Sequence, residues 1–339
     1  MPSTNAIWSD KVSNVAQVGG IETSVLDNGP GKGVRIAWIN TGTGLRFKVV
    51  IDRAMDIADA FFNQHSLTWL NHSGVVAPQP FSHAGTDWLR TFGGGLVTTC
   101  GLSHIGGPEE DEYGVRGLHG FISNIPAEIV SIIQPDPARG IFTMSITGII
   151  KQTQIFGPSL ELKRTISAKL GSSTIHIHDE IINRGNESAP HMLLYHCNFG
   201  WPLADEGAQF FCNGEAIKTC PAVSEKHNGP GQDVFFIDIT PNNDGICVCG
   251  IENKKIQLAA VLKFPKKQLP WLTNWQHWSK GEYVTGIEPG THPPIGQSKA
   301  RAENSLIFIA PGETRSYDLE IDILNNQETI KKIIQETTI

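Results

Sequence analysis

The stretch TIHIHDEII (174–182) alternates strictly: Ile175, Ile177 and Ile181 fall on one side and His176, His178 and Glu180 on the other. A period of two is that of a half-buried β-strand, with one face on a core and one in water. The Asn183-Arg184-Gly185-Asn186 tetrapeptide then supplies a turn. Working outward, the text IAWINTGTGLRFKVVI (36–51) holds two apolar, β-branched runs around Gly-Thr-Gly and reads as a hairpin. Comparable runs at 141–150, 160–168, 233–239, 246–251, 256–264 and 305–309 are punctuated by Gly, Pro, Asn and Asp.

Strands therefore follow one another without intervening helices, which favours antiparallel sheets packed as a sandwich over a parallel sheet. Helical periodicity is sustained only in the C-terminal NNQETIKKIIQETTI, where Ile330, Ile333 and Ile334 share a face, so a short peripheral helix is expected there. No linker, composition shift or internal repeat divides residues 1–339, and the reading is a single all-β domain.

Composition narrows the function classes. With 40% apolar and 18% charged residues, and 35 Gly and 20 Pro spread along its length, the chain is globular and turn-rich rather than disordered. A net charge of −7 without a basic cluster argues against nucleic acid as a partner. The N-terminal MPSTNAIWSDKV has no basic-then-apolar leader, and no run reaches the ~18 apolar residues of a membrane span, so the expectation is a cytoplasmic protein without membrane contact. Six cysteines are too sparse for a disulfide framework, and Cys247 and Cys249 in ICVCGI fit strand alternation, so buried thiols are expected. Gly93-Gly94-Gly95 and Gly106-Gly107 lack both a Walker lysine and the spacing of a dinucleotide loop, which argues against a nucleotide.

Three segments stand apart from turn chemistry: GLHGFISNIPAEIV (117–130), HMLLYHCNFGWPL (191–203) and WLTNWQHWSKGEYVTGIEPG (271–290), joined by FGGGLVTTCGL (92–102). In this order, and over nearly the whole chain, they resemble the galactose mutarotase-like superfamily, and within it the aldose 1-epimerase-like subgroup classed as a domain of unknown function (DUF4432-type). The resemblance implies a β-supersandwich whose concave face holds a sugar. It also implies that His119, in the Leu-His-Gly segment, His196, and Glu288, in the Glu-Pro segment, form the catalytic set. Two departures accompany it: Trp88-Leu89-Arg90 stands where mutarotases carry Asn-Arg, and their substrate-binding Asp has no counterpart.

The implied activity is interconversion of the anomers of a free sugar. One group must take the proton of the C1 hydroxyl while another protonates the ring oxygen, so that the ring opens, rotates and recloses. A carboxylate suits the base and an imidazole the acid. Glu288 and His196 are expected in these roles, with His119 orienting the substrate, and no cofactor or metal is required. Glu288 precedes Pro289-Gly290 after the strand-like YVTGI, which places it at a strand end.

For substrate binding, Arg53 and Arg90 offer planar donor forks, although Arg53 equally suits an ion pair with Asp52 or Asp56. Asn198 and His104, the latter in a glycine-rich loop, are further candidates for binding the sugar, and Trp201, Trp275 and Trp278 offer flat faces for its C–H bonds. Two alternatives stay open. One is a sugar C-epimerase or ketose–aldose isomerase on the same scaffold, with or without metal assistance. The other is a carbohydrate-binding protein without catalysis. The expected partner is a small carbohydrate, and the expected state a monomer or homodimer.

Overall fold

The computed structural model describes residues 10–79, 84–225 and 233–336. The hairpin read at 36–51 lies in a five-stranded sheet made of β1 (Gly20–Val25), β2 (Arg35–Asn40), β3 (Leu45–Val50), β4 (Asp56–Phe62) and β5 (His65–Ser66), paired in chain order. The helix α1 (Trp88–Thr91) precedes β6 (Thr98–Leu102), and β7 (Glu109–Asp111) with β8 (Gly114–Arg116) forms a separate hairpin.

A long meander follows: β9 (Glu128–Ile133), β10 (Thr143–Thr153), β11 (Ser159–Lys169) and β12 (Thr174–Asn183). The chain then runs through β13 (Ala189–Phe199), β14 (Gln209–Cys212), β15 (Glu215–Thr219), β16 (Asp233–Ile237), β17 (Ile246–Asn253), β18 (Leu258–Pro265), β19 (Trp271–Ser279) and β20 (Glu282–Gly290). It ends in α2 (Gln297–Ala302), β21 (Ile307–Ile309), β22 (Thr314–Leu324) and α3 (Gln327–Glu336).

A nine-stranded antiparallel sheet has the order β15-β14-β17-β18-β22-β12-β11-β10-β9. A second large sheet has the order β16-β19-β20-β13-β21, and β6 also pairs with β13. An Ile57–Val97 bridge ties the five-stranded sheet to the segment entering β6. Apolar side chains from the inward faces of all three sheets merge in one cluster, among them Phe47, Ile166, Ile177, Cys197, Leu262 and Ile287. All six cysteines are free and buried, and Cys247 and Cys249 face this cluster while Val248 faces α3, as strand alternation demands. Ile330 of α3 is buried, with Ile333 and Ile334 packed beside Phe211 and Val261. Among the described residues no helix is long and apolar enough to cross a membrane.

The apolar face of β12 carries one ion. Asp179 is fully buried and accepts two hydrogen bonds from Arg164 of β11, Nε to Oδ1 at 2.9 Å and Nη2 to Oδ2 at 2.7 Å. The remaining arm of Arg164 donates to the carbonyl of Ala54 at 3.0 Å, to Asp56 Oδ1 at 3.1 Å and to Thr99 Oγ1 at 2.8 Å. Tyr195 of β13 donates its hydroxyl to Asp179 at 2.6 Å. A buried charge survives only when fully paired and hydrogen-bonded, and here the pairing draws on β4, β6, β11, β12 and β13 at once.

Removing one partner of a buried pair strands the other charge and costs about 3–5 kcal/mol, whereas an exposed pair is worth about 0–1 kcal/mol. Asp179→Ala is therefore expected to lower unfolding stability by ~3–5 kcal/mol in urea titrations. His178→Ala, one residue away but in an exposed contact with Asp318, is expected to cost less than ~1 kcal/mol.

Candidate active site

Side chains alternate along β13, so Tyr195, Cys197 and Phe199 enter the core while His196 and Asn198 face the opposite way. The register builds a polar row across this outer face. Thr98 of β6 pairs with His196, the β13–β20 register sets Glu288 beside His196, and Glu288 pairs with Thr273 of β19. His196 Nε2 lies 3.2 Å from Glu288 Oε1, and both residues are buried. Oε1 nonetheless has no aligned hydrogen-bond partner, and neither has Oγ1 of Thr273.

Glu288 reaches His196 because position 286 is glycine. A Cβ there would lie 2.2 Å from Glu288 Oε1 and 3.3 Å from His196 Cε1, so the carboxylate folds back over Gly286. The expectation that Glu288 ends a strand is corrected: β20 continues to Gly290, with Thr273, Leu272 and Trp271 opposite Glu288, Pro289 and Gly290. Pro289 has no N–H to donate, and the β13–β20 ladder skips the positions opposite Tyr195 and His196.

Aromatic rings close around this pair. Centroids lie 5.1 Å from the His196 ring for Phe92, 5.5 Å for Trp275 and 6.1 Å for both Trp88 and His119. Trp69 extends the wall, 5.9 Å from Phe92 and 6.4 Å from Trp275. Nothing in the text around Trp69 marked it. The signal lay in distant glycines: a Cβ on Gly94 or Gly200 would meet Trp69 at 2.5 Å or 2.7 Å.

His119 comes from the loop between β8 and β9, with its backbone in the left-handed region at φ 57°. Its N–H and carbonyl are fixed by Gly106 and Gly101, and a Cβ on Gly120 would strike the Gly101 carbonyl at 2.3 Å. The Gly106 N–H donates to His119 Nδ1 at 3.3 Å, which leaves the proton of the neutral ring on Nε2. Burial, and then the neighbouring His104, hold the His119 pKa down at about 4.

Burial likewise pushes His196 down to about 3, helped by His119 and opposed by the adjacent Asn198 side chain, and burial raises Glu288 well above the usual carboxylate range. Both shifts come chiefly from burial, which favours the uncharged form of each group, a protonated carboxyl beside a neutral imidazole.

Other expected binding residues divide. Trp275 lines the recess, and Asn198 lies beside His196. His104 stands behind His119, donating Nε2–H to the Gly107 carbonyl at 2.8 Å. Trp278 is corrected: three residues from Trp275, it lies on the opposite face of β19, where it packs on Tyr283 and the main core. Trp201 is 70% exposed rather than a wall of the recess. Arg90 projects outward from α1 and pairs with Asp87 at 3.7 Å, because the buried side of that turn is taken by Trp88 and Thr91.

Arg53 makes neither ion pair envisaged from the sequence, since Asp52 is taken by Arg35 and Asp56 by Arg164. It is buried with its guanidinium on the carbonyls of Thr91 and Val76. It lines a small open cleft with Leu70, Gly94 and Thr98 that adjoins the polar row at Thr98.

The family described as Domain of unknown function (DUF4432) matches residues 31–323. No curated protein matches the sequence. Among solved structures, a candidate aldose 1-epimerase from Klebsiella pneumoniae subsp. pneumoniae MGH 78578 is similar at 24% identity and a TM-score of 0.83, over 96% of this chain and 90% of that one. A galactose mutarotase-like protein from Clostridium acetobutylicum is similar at 13% identity and 0.65, over 91% and 100%. A galactose 1-epimerase from Lactobacillus acidophilus NCFM is similar at 11% identity and 0.59, over 91% and 99%. At such identities the likeness is one of fold, and the fold is galactose mutarotase-like.

The raised pKa of Glu288 links stability to pH. Below about pH 4 the carboxyl is protonated whether the chain is folded or not. As pH rises, the unfolded chain ionises first, so stability falls from there up to the folded pKa. Glu288→Gln removes this loss. The variant is expected to have a higher urea midpoint than the parent at pH 7, and the gap is expected to close as pH is lowered to 4.

Proposed function

The chain belongs to the DUF4432 family, and from its galactose mutarotase-like fold and the geometry around His196 and Glu288 we propose that it is an aldose 1-epimerase-type isomerase acting on a free, uncharged sugar. The observation that carries the reading is the buried His196–Glu288 contact at 3.2 Å among the rings of Phe92, Trp88 and Trp275, on the outer face of a mutarotase-like sheet and next to the open cleft at Thr98.

Anomer exchange needs one proton acceptor and one proton donor that return to their starting states after ring opening and reclosure. A dyad sharing one proton supplies both. In the resting recess, burial keeps that proton on Glu288 and His196 neutral. Hydroxyls of a bound sugar give the carboxylate the hydrogen bonds it lacks, and the proton passes to His196 Nε2.

Glu288 then takes the proton of the C1 hydroxyl as C1=O forms and the bond from C1 to the ring oxygen breaks. His196 protonates that oxygen. After rotation about C1–C2, the same transfers in reverse close the ring on the other face. His119, with Nε2–H free to donate, stabilises the carbonyl oxygen as it gains charge. Trp275 and Phe92 receive the C–H face of the ring.

The cations around the site favour an uncharged substrate. Arg53 is spent on carbonyls, Arg90 is exposed beside Asp87, Arg116 is held by Glu109 and Asp111, and Lys280 is exposed beside Glu225. None stands ready to clamp a phosphate.

NMR saturation transfer across aldoses, deoxysugars, ketoses and uronates tests the proposal. Faster anomer exchange is expected for one or more neutral aldoses, and Glu288→Gln and His196→Ala are each expected to reduce it by at least ~10²-fold. If no sugar exchanges faster, or if either variant keeps full activity, the reading fails. New sugar signals in place of anomer exchange would move the assignment to epimerisation or isomerisation at carbon.

A separate variant tests the geometry. Gly286→Ala puts a methyl where the Glu288 carboxylate now lies, and displacing a reacting group by ~1 Å can cost ~10²-fold. A loss of that order is expected in exchange rate, with circular dichroism unchanged.

A further inference from the structure

Two polar atoms beside the dyad have no aligned partner in this structure: Nδ1 of His196 and Oδ1 of Asn198. They belong to residues two apart on β13, and so on the same face of the strand. Asn198 is fully buried and its orientation is fixed by its amide nitrogen, which donates to the Gly95 carbonyl at 3.0 Å and to the His196 carbonyl at 2.9 Å. Neither carbonyl can donate in return, so the nitrogen and oxygen of this amide cannot be exchanged without setting acceptor against acceptor. Its oxygen is left as a bare acceptor in a water-poor recess. The position paired with Asn198 on β20 is Gly286, whose missing side chain leaves the space that the Glu288 carboxylate and the His196 ring share.

We propose that Asn198 is the positioning residue of His196: its Oδ1 accepts the Nδ1–H of the imidazole and thereby keeps Nε2 as the nitrogen that exchanges a proton with Glu288 and the sugar. The inference rests on the dyad reading given above. Three observations support it. Both atoms are buried donors or acceptors that would otherwise go unsatisfied, at a cost of about 1–3 kcal/mol for each such group. Nε2 is the nitrogen that faces Glu288, at 3.2 Å. The adjacent Asn198 side chain raises the His196 pKa against burial, as an acceptor oxygen near the ring does by favouring the imidazolium.

The two histidines are then held in opposite tautomers. His119, whose Nδ1 is occupied by the Gly106 N–H, presents a donating Nε2–H. His196, whose Nδ1–H is occupied by Asn198, presents a bare Nε2. One ring donates to the substrate and the other exchanges a proton with it. The tautomer of a catalytic histidine is set by the partner of its other nitrogen, and a wrong tautomer costs rate even when geometry is kept.

The test is the tautomer of His196 in the resting protein, read from long-range proton–nitrogen correlations of nitrogen-15-labelled histidine and assigned by the signal lost in His196→Gln. Nδ1–H is expected, and Nε2–H as the main form overturns the proposal. This readout needs no sugar, so it stands or falls apart from whether any anomer exchanges.

Asn198→Leu, which removes the acceptor, is expected to lose the Nδ1–H preference and to lower kcat by ~10²-fold with KM little changed. An unchanged tautomer in the folded variant overturns the proposal. Should the leucine variant not fold, Asn198→Asp decides. It keeps an acceptor oxygen and is expected to retain Nδ1–H, and a switch to Nε2–H there overturns the assignment.

Discussion

The buried Arg164–Asp179 pair is the constraint on which the rest of the molecule depends. Two charges sealed in an apolar core must each exhaust their hydrogen-bonding capacity, and Arg164 does so by reaching Asp179, Asp56, Thr99 and the Ala54 carbonyl. Asp179, Asp56 and Thr99 sit on strands from three sheets, and Ala54 on the turn that leads into β4. Because a guanidinium is planar and its donors are fixed in direction, the contacts set the relative height of β4, β6, β11, β12 and β13 more narrowly than apolar packing does. The apolar cluster supplies adhesion, and the ion pair adds register.

That register carries through the sheet to the catalytic face. Tyr195 and Thr99 point inward to the ion pair, and their chain neighbours His196 and Thr98 point outward into the polar row. Strand alternation makes the inner and outer sets one rigid unit: a slip of one residue would drive His196 into the core and Tyr195 into the recess. The dyad is therefore positioned from behind, by a core network that never touches the substrate. The loop bearing His119 is pressed on β6, the neighbour of β13, through Gly120 against Gly101.

The recess itself runs against what stability alone would choose. Glu288, His196, Asn198 and Thr273 are buried polar groups with unfilled valences, ringed by Trp88, Phe92 and Trp275. Low polarity strengthens each of their interactions with an incoming hydroxyl and shifts the pKa of both dyad members. Glycine makes the arrangement sterically feasible: the missing side chains at 286, 94 and 200 are occupied by Glu288 and Trp69.

The sequence by itself determined the strands, the hairpin at 36–51, the C-terminal helix and the buried thiols, because these follow from periodicity and turn chemistry within short windows. It also singled out His119, His196 and Glu288 through the segments that carry them. It misplaced Glu288 at a strand end, because a Glu-Pro-Gly triplet reads as a stop. Only pairing with β19 and β13 on both sides keeps the strand going.

It set Trp278 and Trp201 beside Trp275 and Arg90 beside Arg53, because residue type says nothing about which face of a pleat or turn a side chain occupies. Trp69 gave no sign at all. The meeting of Glu288 with His196 was decided by tertiary structure alone. It depends on the register between strands whose paired residues are 92 positions apart in the chain, on a glycine that leaves room, and on a core ion pair that anchors β13, the strand bearing His196, through Tyr195.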